Sequence, residues 1–219
     1  MKSNKIFVWS YLEDYKKNKK KILNLVNKVF KSGSLVLSKE VENFEKNFCQ
    51  FTKNNYGVGV NSGTDAIKIA LMAAGIKRND EIITVSNTAV PTVSAIVECG
   101  AKPIFVDVNE NDYLINTSLI ERKISKKTRV IMPVNLYGQS ADYSAINKIA
   151  KKHNLKVIED CAQSAGSFYK RKPSGSSGDL AAFSFYPTKI LGAYGDGGMV
   201  VTNNKNYFIK EKKLRKYGM

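Results

Sequence analysis

The chain has 219 residues, 43% hydrophobic and 25% charged, with 35 Lys and Arg against 19 Asp and Glu and a formal net charge of +16. That length suits one substantial domain, or barely two, and the composition is that of a soluble globular protein. The charge does not by itself indicate nucleic acid, because the lysine-rich stretches 16–21, 123–129, 148–156 and 205–216 alternate with apolar helix faces or ends; a nucleic-acid partner would want a basic stripe with interleaved aromatics.

From the N-terminus onward, no apolar run is long enough for a signal peptide or a membrane span, so no membrane partner is expected. Cys49, Cys99 and Cys161 are odd in number and lack CxxC spacing, the usage of reduced thiols in a cytoplasmic protein. The single histidine, His153, sits among lysines at an expected helix end and is given no chemical role. No His, Cys and carboxylate cluster suggests a metal site.

Two amphipathic helices come first. Ile22, Leu23, Val26, Val29 and Phe30 recur at helical spacing, as do Val41, Phe44, Phe48 and Phe51 after a cap at Ser38. The pattern then alternates: strand 56–60, helix 64–75 closed by Gly75, strand 81–85, helix 92–99 and strand 103–108. A short helix near 117–124, strand 129–134, helix 142–153 and strand 155–160 follow. Strands separated by helices require crossover connections, which predicts an α/β fold of three layers, a mainly parallel sheet flanked by helices on both faces. Two more strands are expected at 180–185 and 197–202, and a last helix over 206–217. The stretch "YKRKPSGSSGD" (169–179) reads as an exposed loop rather than a linker.

Ligands of open α/β sheets bind outside the carboxyl ends of the strands. Four polar groups fall at such ends. After strand 56–60, "NSGT" (61–64) opens a helix: either a helix cap, or a turn whose Gly63 and Thr64 N–H groups attract phosphate. Asp160 ends a strand whose preceding residues should be buried; it is either a cap for a following helix or the partner of a protonated heterocyclic nitrogen. Gln163, three residues on, is in reach of the same ligand. Ser184 ends "AAFS" with a hydroxyl that suits a phosphate. Lys189, unlike the solvated lysines elsewhere, lies between "FYPT" and a run of glycines. A partly desolvated lysine beside another cation is available as a free amine and nucleophile. A phosphate cradle, a carboxylate for a ring nitrogen and a nucleophilic lysine are together the requirements of pyridoxal 5'-phosphate chemistry.

The ordered motifs "NSGTDAI", "GAKPIFVDV", "VIEDCAQSAG" and "GDLAAFSFYPTKILGAYGDGGMV" resemble the DegT/DnrJ/EryC1/StrS group of PLP-dependent aminotransferases, from about Val41 to Met219. The resemblance implies an aspartate aminotransferase-like large domain (fold type I) over residues 1–219 that includes the N-terminal helices. Gly63 and Thr64 would hold the phosphate with help from Ser184. Asp160 would pair with the pyridine nitrogen, Gln163 would lie near the ring's phenolic oxygen, and Lys189 would carry the aldimine. The implied reaction moves an amino group from an amino acid donor, usually glutamate, to a nucleotide keto-sugar for amino-sugar biosynthesis, in a homodimer. Lysine at 189 also separates the chain from related sugar dehydrases, which have histidine there.

Two departures stand out. Many members place a ring-stacking aromatic residue where this chain has Ala89, leaving that packing to Val90, Thr92 or another residue. Members also continue well past residue 219, so the smaller C-terminal domain is expected to be absent here, with weak dimerisation or slow turnover as the consequence. Two other readings remain: a PLP enzyme of the same fold acting on a different keto or amino acid substrate, and a truncated homologue that binds the cofactor without catalysis.

Overall fold

A computed structural model describes residues 9–219. Residues up to Phe44 form one compact unit and Glu45–Met219 a second. The first contains α1 (Leu12–Lys31) and the start of α2 (Lys39–Thr52). No residue of α1 is buried, and Leu23, Val26 and Phe30 of its expected apolar face are exposed. Lys28 pairs with Glu40 at 3.2 Å. Ser38 starts α2 through its carbonyl, which accepts from the Val41 and Glu42 N–H groups, while its hydroxyl donates to Glu40.

The second unit alternates as its periodicity predicts. In chain order come β1 (Tyr56–Val60), α3 (Gly63–Ala73), β2 (Glu81–Val85), α4 (Val90–Glu98), β3 (Lys102–Val106), α5 (Thr117–Ile120), β4 (Thr128–Ile131) and α6 (Tyr143–His153). They are followed by β5 (Lys156–Asp160), β6 (Phe168–Tyr169), β7 (Lys172–Pro173), β8 (Leu180–Ser184), β9 (Gly198–Thr202) and α7 (Lys205–Arg215). Seven strands form one sheet in the order β1-β9-β8-β5-β4-β2-β3. Every neighbouring pair is parallel except those of β9, which runs antiparallel to both β1 and β8.

Successive strand residues point to opposite faces, and the core divides accordingly. Ile82, Val130, Ile158, Ala182 and Val200 pack with Ala66, Ile67, Ala70 and Leu71 of α3 and Ala95 and Ile96 of α4. Their neighbours Ile83, Ile131 and Val157 pack on the other side with Ile120 of α5 and Tyr143, Ile146 and Ala150 of α6. On that side too, Phe48 and Cys49 of α2 cover Ala181, Phe183, Met199 and Val201. Both faces of each central strand are therefore dry, which is why these strands read as continuous Val/Ile/Ala runs.

Three boundaries differ from expectation for identifiable reasons. β4 stops at Ile131, because Pro133 has no N–H to give, and pairing resumes only as a single bridge between Val134 and Asp160. α4 starts at Val90 rather than 92, since Pro91 is tolerated in a first turn whose N–H groups have no helical partner. The stretch 169–179 is not an exposed loop. Its first part closes the β6–β7 hairpin, and Pro173, Ser174 and Gly175 are buried. What draws it inward is Glu159 of β5, fully buried, whose carboxylate accepts from the N–H groups of Gly175 (3.0 Å), Ser177 (2.6 Å) and Gly178 (2.7 Å). A buried carboxylate is costly without such donors.

Candidate active site

A cavity of about 300 Å³ opens at the carboxyl ends of β1, β2, β5 and β8. Gly63, Thr64, Asp160, Gln163, Ser184 and Lys189 all line it, so the structure brings together every site residue expected from sequence.

The turn after β1 serves two purposes at once. Ser62 is the N-cap of α3, its hydroxyl oxygen accepting from the Asp65 N–H at 3.1 Å. The Ala66 N–H is taken by the Ser62 carbonyl. That leaves the Gly63 and Thr64 N–H groups with no partner among the described residues, at the positive end of an eleven-residue helix. Gly63 is sterically required: a Cβ there would lie 2.6 Å from the Cβ of Ser184. The absent side chain is what lets the Ser184 hydroxyl sit against the helix start, where it accepts weakly from the Tyr186 N–H at 3.3 Å.

Asp160 is 2% exposed at the end of β5. No helix follows it, so the helix-cap alternative falls away; its Oδ1 accepts instead from the Ala162 N–H at 3.1 Å. Its Oδ2 accepts from the Thr92 hydroxyl at 2.7 Å. Burial pushes the Asp160 carboxyl above its ordinary value, opposed by those two hydrogen bonds and by the charge of Lys189. A carboxylate this buried is best satisfied by a cation, and each oxygen retains accepting capacity.

Lys189 is half-buried in the turn after Pro187, held by its own N–H to the Tyr186 carbonyl at 2.8 Å. Its Nζ has no hydrogen-bond partner among the described residues, in contrast to Lys16, Lys28, Lys68 and Lys152, which pair with carboxylates. Gln163 accepts on Oε1 from the Tyr137 N–H at 3.2 Å, which commits its amide NH₂ as the free donor. Tyr137 reaches that position in the left-handed region, with φ 57°.

Sequence reasoning did not single out Thr88 or Asp196, which also line the cavity, and gave Thr92 no polar role. Of the two residues named for the missing ring packing, Val90 is exposed and outside the cavity, whereas Thr92 is spent on Asp160; Ala89 itself lines the wall. A threonine inside the apolar run of α4 carries no sequence signal that separates a cavity hydroxyl from helix packing. Asp196 lies in "GDGG", where an aspartate among glycines carries no sequence signal that separates a cavity carboxylate from a turn residue. Away from the cavity, His153 bonds Glu121 at 2.8 Å at the opposite end of the sheet. The described residues contain no cluster able to hold a metal ion and no helix long and apolar enough to cross a membrane.

The sequence model of the DegT/DnrJ/EryC1/StrS aminotransferase family matches residues 16–219. Among curated proteins, a dTDP-3-amino-3,4,6-trideoxy-alpha-D-glucose transaminase of Micromonospora megalomicea subsp. nigra is 50% identical over 97% of this chain and 57% of its own length. A UDP-2-acetamido-2-deoxy-3-oxo-D-glucuronate aminotransferase of Pseudomonas aeruginosa is 40% identical over 88% of this chain and 54% of its own. Among solved structures, S. venezuelae DesV in complex with a ketimine intermediate superposes with a TM-score of 0.93 at 37% identity, covering 96% of this chain and 57% of that one. The chain thus spans about half the length of the curated relatives it matches.

Proposed function

This chain belongs to the DegT/DnrJ/EryC1/StrS aminotransferase family, and from that premise we propose that it is the cofactor domain of a pyridoxal phosphate-dependent aminotransferase acting on a nucleoside-diphosphate keto-sugar, with an amino acid, glutamate, as donor. One observation carries the reading: an unpaired lysine amine, a buried carboxylate and two unclaimed helix-start N–H groups share a single cavity. The two curated relatives act on a dTDP-linked and a UDP-linked sugar respectively, which supports the substrate class and leaves the nucleotide open.

The residues fit pyridoxal phosphate on their own chemistry. The Gly63 and Thr64 N–H groups and the Ser184 hydroxyl would bind the phosphate. Asp160 would hold a proton on the ring nitrogen, which answers the cost of burying that carboxylate. The Gln163 NH₂ would be the donor available to the phenolic oxygen. Bound there, the cofactor supplies an electron-accepting ring that stabilises negative charge at the donor's α-carbon. Lys189 Nζ would be the attachment point and the base for the α-carbon proton. We take residues 1–219 as the large domain of a longer cytoplasmic homodimer. Tyr186, Ile190 and Leu191, large and exposed beside the cavity, support a covering second copy.

The test is borohydride reduction in the presence of pyridoxal phosphate, followed by peptide mass analysis. A pyridoxyl group on Lys189, and none in Lys189→Ala, is the expected result. An unlabelled Lys189 sinks the proposal. Turnover of a nucleotide keto-sugar with glutamate by the longer protein, and not of simple keto acids, tests the substrate class.

A further inference from the structure

We propose that Thr88 and Thr92 form a one-way hydroxyl relay that aims and tunes the Asp160 carboxylate, making Thr92 a positioning residue of this cavity and Thr88 its support. The inference rests on the reading of Asp160 as the partner of a ring nitrogen, but it concerns atoms of this chain alone.

Proton counting sets the direction. Thr92 Oγ1 lies 2.7 Å from Asp160 Oδ2 and 2.7 Å from Thr88 Oγ1. A threonine hydroxyl has one proton and two lone pairs, and an ionised carboxylate only accepts. The Thr92 proton therefore goes to Asp160, and the contact with Thr88 must be donated by Thr88. The chain runs Thr88 to Thr92 to Asp160, each bond polarising the next. If Asp160 were protonated on Oδ2 and donated to Thr92, the Thr92 proton would be released from Asp160 and both bonds would join neutral groups. Hydrogen bonds donated to an anion are the stronger ones, so the relay favours the ionised acid, and a second hydroxyl extends that effect beyond the one in contact.

The same bonds aim the carboxylate. Thr92, in the first turn of α4, is 1% exposed, so its side chain is held by its protein neighbours. The Asp160 backbone is pinned to the segment after β4 through both its polar groups, its N–H to the Pro133 carbonyl (3.0 Å) and its carbonyl to the Asn135 N–H (2.9 Å). With the backbone fixed, Thr92 on Oδ2 and the Ala162 N–H on Oδ1 define the carboxylate plane. The other charged groups around it are Lys189 and Asp196, which line the same cavity from the segment after β8, and its strand neighbour Glu159, whose oxygens are held by the 175–178 turn. Cys161, adjacent and buried, keeps its thiol protonated because burial pushes it well above the ordinary value. Among the described residues that line the cavity, Lys189 alone offers Asp160 a positive charge. The relay adds a neutral contact that does not depend on that charge.

The experiment is a carbon-13 carboxyl titration of Asp160 in the cofactor-free protein. It compares the wild type with Thr92→Val, Thr92→Ser and Thr88→Val, each checked for folding by circular dichroism. Thr92→Val keeps shape and deletes the hydroxyl; the expected result is an upward shift of about one pH unit, a roughly tenfold gain in proton affinity. Thr88→Val should shift it the same way by less, and Thr92→Ser should restore the wild-type titration. Unchanged titration in both valine variants overturns the relay. If Thr92→Val does not fold, Thr88→Val decides: a shift supports the relay and no shift overturns it. Borohydride labelling of Lys189 is scored separately, so a failure of the cofactor reading shows there and leaves the carboxyl titration to judge the relay.

Discussion

Glu159 and Asp160 are neighbours in β5 whose carboxylates serve opposite faces of the sheet, Asp160 in the cavity and Glu159 clasped by the Gly175, Ser177 and Gly178 N–H groups. The clasp pulls in the turn after the β6–β7 hairpin, where Gly175 has φ +88° and a Cβ would stand 2.5 Å from the Phe183 ring. Burial raises the Glu159 carboxyl while the three backbone donors lower it, so the ionised form depends on them. Glu159→Gln replaces an acceptor oxygen with an NH₂ that faces N–H groups. The expected loss is about 2–4 kcal/mol in urea unfolding, the cost of leaving buried donors unpaired. A loss under about 0.5 kcal/mol, the range of surface substitutions, would show the clasp to be idle.

Gly63→Ala tests the phosphate cradle. The new Cβ cannot coexist with Ser184 at 2.6 Å, so either the Ser184 side chain or the start of α3 must move. Global stability is expected to fall by only about 1–3 kcal/mol, as in ordinary overpacking. Affinity for pyridoxal phosphate, read by fluorescence titration, should fall at least tenfold, because the displaced groups are the phosphate donors. Equal affinity in the variant would remove Gly63 and Ser184 from the cradle.

Asp160→Asn separates function from stability by sign. The cofactor-free protein should be as stable as wild type or more so, because a buried charge with incomplete compensation is removed. Cofactor affinity should fall, since a neutral amide offers a ring nitrogen no charge. Opposed signs are the mark of a residue kept for a ligand at the expense of the fold. Destabilisation by several kcal/mol with unchanged cofactor affinity would make Asp160 structural.

The alternating elements were legible because "EIITV" and "LKVIED" are short apolar runs bounded by turn residues, and the segments that became α3 and α6 repeat their apolar residues at helical spacing. The sequence carried the site because strand ends are positions, and Asp160, Ser184 and the 61–64 turn could be placed without side-chain geometry. The reversal of β9 was not legible, since an apolar run has no direction. The β6–β7 hairpin was not legible either, as two-residue strands have no periodicity. Glu159 escaped because a glutamate near a strand end reads as solvated, and only the fold reveals the three N–H groups waiting for it.

The last prediction concerns Glu211 in α7, fully buried with neither carboxylate oxygen hydrogen-bonded among the described residues. Burial alone pushes its carboxyl up to about 8. Its neighbour one turn on, Arg215, is committed to Glu45 at 2.5 Å and to the Gly59 carbonyl at 3.1 Å. In the unfolded chain Glu211 titrates near its ordinary value of 4.5. Between those two values the native state holds a proton that the unfolded state has released, so stability falls as pH rises from about 4.5 through 8. Below that window both states are protonated and the group contributes nothing; above it the full cost of burying the anion is present, on the order of a few kcal/mol. Glu211→Gln keeps the shape and removes the titration. Its advantage over wild type in urea unfolding should be small at pH 5 and grow to a few kcal/mol by pH 9. Two stability curves that stay parallel from pH 5 to pH 9 would mean that Glu211 has found a partner or reached solvent, and α7 would then owe nothing to a protonated glutamate.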